Sequence, residues 1–332
     1  MAITKLTPIS FEDNVKFRNI IINGDMSVAQ RATSKTSLGN GDSGYHTCDR
    51  WRFSESGSPT YQFTMSQSTD VPSGQGFSKS LKYDCTTADT ALAADDALRL
   101  EHRIEGQNLQ YLKKGTSNAE KLTLSFWVKS NKTGTYTVDV FDNDNNRQNP
   151  KTYTIDTADT WEKKIITYDG DTTGALGNDN GNSLMVNFFL GAGTNWTSGT
   201  FSNGTWEALV KANRAHSSQV NLSDSTSNEW YITGVQLEAG EVATPFEFLP
   251  HDINFQRCER YYQIMGDQYH YRNGSDWDHK HYEFRTIMRG NATWVQTSLP
   301  TGGSLNRARK DFATWTGFTA SGNVQGAFNA EL

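Results

Sequence analysis

The sequence predicts an all-β chain: an antiparallel jelly-roll β-sandwich, followed by a short helix and a small C-terminal β module. Three observations predict it. Runs of strict period-two alternation between apolar and polar residues recur along most of the chain. Aromatic residues reach 12% within a hydrophobic fraction of only 35%, a balance that favours strands over helices and argues against disorder. The 28 glycines and the many Asn, Ser and Thr residues gather between the alternating runs, where they supply turns and long polar loops.

In chain order, residues 1–18 show neither alternation nor a core-forming run, which reads as an N-terminal arm, either frayed or docked on a partner. Strands then follow. "YQFTMS" puts Tyr61, Phe63 and Met65 on one face, and "ALRLEHRIE" puts Leu98, Leu100 and Ile104 inward with Arg99, Glu101, Arg103 and Glu105 toward water. Inner rows continue with Leu122, Leu124, Phe126 and Val128, with Tyr136, Val138 and Val140, and with Val186, Phe188 and Leu190. One buried and one wet face is the antiparallel pattern. "NLQYLKK" and "TWEALVKAN" each have room for one or two helical turns.

"NEWYITGVQLEAG" reads as the closing strand, with Tyr231, Val235 and Leu237 inward and Gly240 ending it. Pro245 cannot donate to a ladder, so "FEFLP" is expected as a short terminal edge before a boundary at Pro250. This gives a sandwich over 19–250 and a linker helix with a β module over 251–332. The helix is expected in "HDINFQRCERYYQI", where Ile253, Arg257 and Tyr261 share one stripe and Phe255, Cys258 and Tyr262 another. "YEFRTIM", "ATWVQTSL", "KDFATWTGF" and "GAFNAEL" supply the later strands. A core that small is marginal alone, so it should lean on the larger domain or on copies of itself.

Composition also excludes function classes. The net charge is −6 with both signs interspersed, against the basic face that general nucleic-acid binding needs. No stretch has the ~18 apolar residues of a membrane helix. The first residues lack the apolar core of a signal peptide, so folding in a cytoplasm is expected. Cys48, Cys85 and Cys258 form no CxxC pair, which leaves zinc and dithiol readings unsupported.

Catalytic signatures are weak. "GNGDSG", from Gly39 to Gly44, matches a dinucleotide loop and a protease nucleophile loop in letters only: it sits among turn residues, and the first histidine, His46, follows it. "FDNDNNR" offers Asp142, Asp144 and Asn146 at alternate positions, but Arg147 and Tyr153 stand where a calcium loop needs Gly and Glu; a tight turn is expected, with a weak calcium site as the alternative. The carboxylates of Glu101 and Glu105 alternate with Arg99 and Arg103, a salt-bridged surface rather than a glycosidase pair. Loop aromatics are the better lead. Trp196, Phe201 and Trp206 lie in or beside a Gly/Asn/Thr-rich loop, suited to sugar stacking and hydroxyl recognition. Tyr269, Tyr271, Trp277 and Tyr282 form a second such cluster; packing on the sandwich or on a neighbouring chain is the plainer reading of both.

"RNIIINGDMSVAQRAT", "DRWRF", "LTLSFWVKS", "ITGVQLEAGEVATPFEF" and "CERYYQ" together resemble a layout that recurs in phage tail and fibre proteins, and the start "MAITKL" and end "FNAEL" resemble virion proteins of marine phages. The resemblance implies a virion structural protein, assembled in the host cytoplasm, whose jelly roll is similar to carbohydrate-binding modules. It implies a homotrimer docked on other virion proteins by its N-terminal arm, with the C-terminal module packing chains together or meeting the host. No repeat shaft is present, which favours a compact appendage, a short fibre or a capsid decoration. Around a trimer axis, His279 and His281, alternate residues on one strand face, could present six imidazoles to one transition metal; no other cofactor is expected, and two exposed histidines is the plainer reading. The expected function is non-enzymatic adhesion to a host-surface polysaccharide. The alternatives are capsid decoration without a receptor role and a polysaccharide depolymerase.

Overall fold

The computed structural model describes residues 17–270, 280–300, 302–316, 318 and 320–332. Two antiparallel sheets face each other as a jelly-roll sandwich. The first has six strands in the order β1 (Ser34–Leu38), β4 (Gln62–Ser68), β5 (Ser80–Thr87), β13 (Glu229–Ala239), β7 (Leu122–Ser130) and β10 (Glu162–Tyr168). The second has seven, ordered β12 (Glu207–Ala208), β9 (Arg147–Ile155), β8 (Gly134–Asp142), β11 (Asn182–Ala192), β6 (Ala97–Glu105), β3 (Trp51–Ser56) and β2 (Gly44–Tyr45). The chain crosses repeatedly from one sheet to the other, so each strand commits one apolar row to the shared core. That core is rich in rings: Trp230 lies 6.2 Å from both Tyr83 and Phe188, and Phe126 lies 5.1 Å from both Tyr153 and Phe188.

After the helix α2 (His251–Glu259) come two three-stranded sheets: β14 (Tyr262–His270), β19 (Gly322–Asn329) and β16 (Thr293–Ser298), and β15 (Lys280–Glu283), β18 (Phe312–Thr316) and β17 (Ser304–Ala308). They enclose a second core of Met265, Met288, Trp315, Val324 and Phe328. This unit is seated on the sandwich by charge. Arg260 donates two bonds to the buried Glu105 at 2.8 and 2.7 Å, and the Tyr261 hydroxyl donates a third at 2.5 Å. The Arg50 guanidinium pairs with Glu331 and lies 3.5 Å from the Tyr261 ring centre.

Several expectations are corrected. Tyr231 does not face the core; Trp230 and Ile232 do, together with Val235 and Leu237. The pairing of β13 with β7 slips between Thr233 and Gln236, and Gly234 there has φ +61. This is a β-bulge, which inserts one residue and reverses which side the alternate residues take. Gly234 is required twice, because a Cβ would also stand 2.5 Å from Phe77 Cζ. The charged row of β6 is not wet: Arg99, Glu101 and Glu105 are buried, under residues 193–216 at one end and the C-terminal strands at the other. "FEFLP" forms no strand; Phe246 and Phe248 instead pack on Phe77, each at 5.1 Å. "TWEALVKAN" contains β12 and a 3-10 turn over Lys211–Asn213, and "NLQYLKK" lies in the 3-10 turns Gly106–Asn108 and Gln110–Leu112. A helical turn, α1 (Thr194–Thr197), sits in the loop ahead of them.

Residues 19–25 run along β13. Ile20 N donates to Leu237 O at 2.9 Å, and Val235 N donates to Gly24 O at 2.9 Å. The contact is so close that a Cβ on Gly24 would fall 2.0 Å from Val235 O.

Candidate functional site

The outer face of the six-stranded sheet carries a groove of about 480 Å³. Strand alternation builds its floor. Phe126 and Val128 point into the core, so Ser125, Trp127 and Lys129 point out, and register sets Trp127 beside Thr233 on β13 and Lys163 on β10. Phe77, Phe246 and Phe248 form one wall, with ring separations of 4.9 to 5.1 Å. Gln75, Thr244 and Lys163 supply polar groups.

The wall is fastened by side chains after the bulge. Glu238 accepts from Thr244 N at 2.9 Å and from the Thr244 hydroxyl at 2.8 Å, and Gln236 Oε1 accepts from Glu247 N at 2.8 Å. The bulge thus places Gln236 and Glu238 outward, where they hold the loop over residues 243–247. A site with fixed walls loses little order on binding.

Beside the groove lies a closed cluster. Lys129 Nζ sits 4.4 Å from the Tyr231 ring centre, and Trp161 Nε1 donates to Asp70 Oδ1 at 2.9 Å. Burial opposes ionisation of Asp70, but hydrogen bonds from Lys129 and Trp161 outweigh it and hold the carboxyl below its ordinary range. Burial, reinforced by Glu229, pushes the Tyr231 hydroxyl up. The Tyr231 face is covered by an ammonium. Among the described residues, no cation or second ring covers Trp127.

Of the loop aromatics, Trp196 and Trp206 follow the plainer of the two expectations and pack on the sandwich rather than standing open for stacking. Trp196 is only 6% exposed. It packs on Phe189 at 5.9 Å, has Lys211 Nζ at 4.6 Å and Arg99 Cζ at 5.0 Å from its ring centre, and donates its indole N–H to Asp95 O at 3.0 Å. It is a wedge that pins residues 193–216 to the sheet, so its ring is not open for stacking. Phe201 is half-buried against His216 at 5.1 Å. Trp206 is half-buried against the main core and donates to Asp169 O at 2.7 Å. Trp196 and Trp206 belong to separate clusters and form no common platform.

Tyr269 is exposed on β14, whereas Tyr271, Trp277 and His279 lie outside the described residues. Tyr282 packs on the second core beside Phe284 and Phe328. His281 stacks on Phe312 at 5.2 Å and lies 3.8 Å from Glu283. Among the described residues, no three His, Cys, Asp or Glu side chains are grouped to hold a metal ion.

The "FDNDNN" segment is a turn. Asp142 Oδ1 accepts from the backbone N–H groups of Asp144 and Asn145, both at 3.0 Å. The Lys114 ammonium lies 2.5 Å from Asp142 and 3.0 Å from Asp171, so the carboxylates already have their cation. "GNGDSG" is the loop after β1 together with the first residue of β2, and its Asp42 N–H donates to Glu55 at 2.9 Å. Glu101 is paired with Arg52 at 3.1 Å and Arg103 at 3.2 Å; against the cost of burial, Arg99, Arg103 and Arg52 lower its carboxyl to about 2.

Trp127 was the residue that sequence reasoning passed over. Its signal was an aromatic at an outward position of "LTLSFWVKS", between Ser125 and Lys129.

No protein-family model matches the sequence, and neither does any curated protein. Among solved structures, the chain is similar to the enzymatically active domain of tailspike protein 4 of bacteriophage CBA120, with 13% identity and a TM-score of 0.34 over 67% of this chain. It spans 21% of that tailspike chain. It is also similar to a family 4 carbohydrate-binding module, with 13% identity and a TM-score of 0.30 over 66% of this chain and 99% of the other. A third is the family 11 carbohydrate-binding module of Clostridium thermocellum in complex with a β-1,3-1,4-mixed-linked tetrasaccharide, with 11% identity and a TM-score of 0.31 over 64% of this chain and 99% of the other.

Proposed function

We propose that the protein is a non-catalytic glycan-binding appendage of a phage virion, which adheres to host-surface polysaccharide through its sandwich. The observation that carries the binding role is the groove floored by Trp127: a half-buried ring with an uncovered face, an aromatic wall and polar groups around it. A ring face stacks on the C–H face of a sugar, and the polar groups meet its hydroxyls. The non-catalytic reading is supported by the pairing of Glu101 and Glu105 with arginines, which leaves neither as a free acid or base.

The virion role rests on the residue layout. Two of the segments that carry it, "RNIIINGD" and "ITGVQLEAG", lie side by side, joined by the bonds between residues 19–25 and β13. On this reading, residues 1–18 dock on other virion proteins, residues 19–250 bind glycan, and residues 251–332 pack chains into a homotrimer.

The test is binding of the purified chain to polysaccharide extracted from host cells. Trp127→Ala is expected to reduce binding at least ten-fold, about 1.4 kcal/mol, while its circular dichroism stays that of the parent. Equal binding by parent and variant removes the groove from the function. Release of reducing sugar would favour the depolymerase. Light scattering of the full chain tests the trimer, and labelling of intact virions distinguishes tail from capsid.

A further inference from the structure

We infer that the groove selects an acidic saccharide, one that bears carboxylate or sulfate groups. This rests on the glycan reading and adds the charge of the ligand. Lys163 is the one ionised side chain lining the groove, on the strand next to Trp127 and in register with it. It is exposed and, among the described residues, has no carboxylate partner, whereas the next residue, Lys164, pairs with Asp156 and Glu162.

Glu238, Glu247 and Asp70, on segments beside the groove, each accept hydrogen bonds from other groups. Glu238 accepts from Thr244 at 2.9 and 2.8 Å, Glu247 accepts from Asn19 N at 2.9 Å, and Asp70 is paired with Lys129 and Trp161. Beside the uncovered indole, Lys163 thus presents an ammonium that makes no ion pair among the described residues. A neutral sugar would use the ring and the amide and hydroxyl groups and leave the ammonium in water. An acidic sugar stacked on Trp127 adds a charge-assisted hydrogen bond from Lys163. The groove's 480 Å³ falls within the ~300–1,000 Å³ of small-molecule sites, enough for a short stretch of polymer rather than an extended cleft.

The experiment uses the full chain and two matched pairs of probes: polygalacturonate with its carboxyl-reduced form, and dextran sulfate with dextran. The expected result is that the acidic member of at least one pair binds about five-fold more tightly, with salt weakening the preference. Lys163→Gln should erase the preference, and Lys163→Arg should retain it; Lys163 is exposed, so both variants are expected to fold. A preference confined to polygalacturonate assigns a carboxylate ligand, and one confined to dextran sulfate assigns a sulfate ligand. If neutral and acidic members bind alike and Lys163→Gln changes nothing, the acidic preference is overturned while glycan binding stands. If none of the four polymers binds and host polysaccharide is not bound either, both readings fall.

Discussion

Asn19 completes the hydrogen bonding of β13 at its bulge: its side-chain Oδ1 accepts from Leu237 N at 3.1 Å, and its Nδ2 donates to Val235 O at 3.0 Å. Pairing of β13 with β5 ends at Ile232, so beyond it this edge of β13 has no strand partner, and the amide, which carries both an acceptor and a donor, pairs these backbone groups. Asn19→Ala strands two buried backbone groups and should lower stability by about 2 kcal/mol. Urea unfolding is the measurement: the midpoint should fall with an unchanged slope. A change within error would mean that water replaces the amide.

Gly234→Ala tests the bulge from its other side. The φ of +61 penalises any L side chain, and the added Cβ would displace Phe77 from the groove wall. A loss of about 1–2 kcal/mol from backbone strain alone is expected, accompanied by weaker glycan binding. Intact binding in a destabilised variant would separate the wall from recognition.

Trp196→Ala separates a structural aromatic from a functional one. Removing a buried indole should cost about 3–4 kcal/mol. Saccharide affinity through Trp127 should remain that of the parent. A loss of affinity at temperatures where the variant is folded would return residues 193–216 to the binding surface.

Acid should weaken the fold from an early point. His102 is buried beside Trp51, with Nε2 3.2 Å from Ile22 N, and burial followed by the charge of Arg50 holds its pKa well below the ordinary value. Folded protein therefore binds fewer protons than unfolded protein below about pH 6.5, so stability is full above that value and lost as pH falls. His46, also lowered by burial, has the same sign. Asp49, raised by burial to about 6, acts oppositely: its folded form holds a proton between ~4 and 6 and favours the fold there. His102→Gln isolates the histidine. The difference in stability between parent and variant should shrink from pH 7 to pH 5, and a constant difference would mean that His102 takes up its proton equally in the folded and unfolded chain.

Glu105→Ala should loosen the seat of the C-terminal strands. The buried carboxylate receives Arg260 and Tyr261, and its removal leaves the guanidinium without its partner. Because Arg260 keeps some contact with water, about 2 kcal/mol is expected rather than the ~3–5 of a fully enclosed pair. Limited proteolysis should then cut near residue 260 earlier than in the parent.

Where alternation ran unbroken, as in Leu122 to Val128, the sequence named the inward residues correctly. At Tyr231 it failed because one inserted residue reverses sidedness, and nothing in "YITGV" marks the insertion except Gly234. The strand β6 was legible as a strand, but the burial of Arg99, Glu101 and Glu105 was not. Trp196 lies over Arg99, and Arg260 and Tyr261 close on Glu105, and local pattern cannot report chain that returns from so far away. The sequence left Trp196 open between packing and stacking because its neighbours are polar, while its contacts, Phe189 and Arg99, lie outside its own loop. The groove itself joins Trp127, Lys163 and Phe77 from three separate stretches, and only sheet order brings them together.

The packing of residues 19–25 on β13 also sets a clock for biosynthesis. Asn19 meets Leu237 across 218 residues. At ribosomal rates of ~5–20 residues per second, Ile20, Ile21 and Ile22 leave the ribosome roughly 10–40 s before the strand they lie against exists. Through that interval the nascent chain carries an unsheltered isoleucine run, so the yield of folded protein should depend on chaperone supply and on growth temperature more than its final stability suggests.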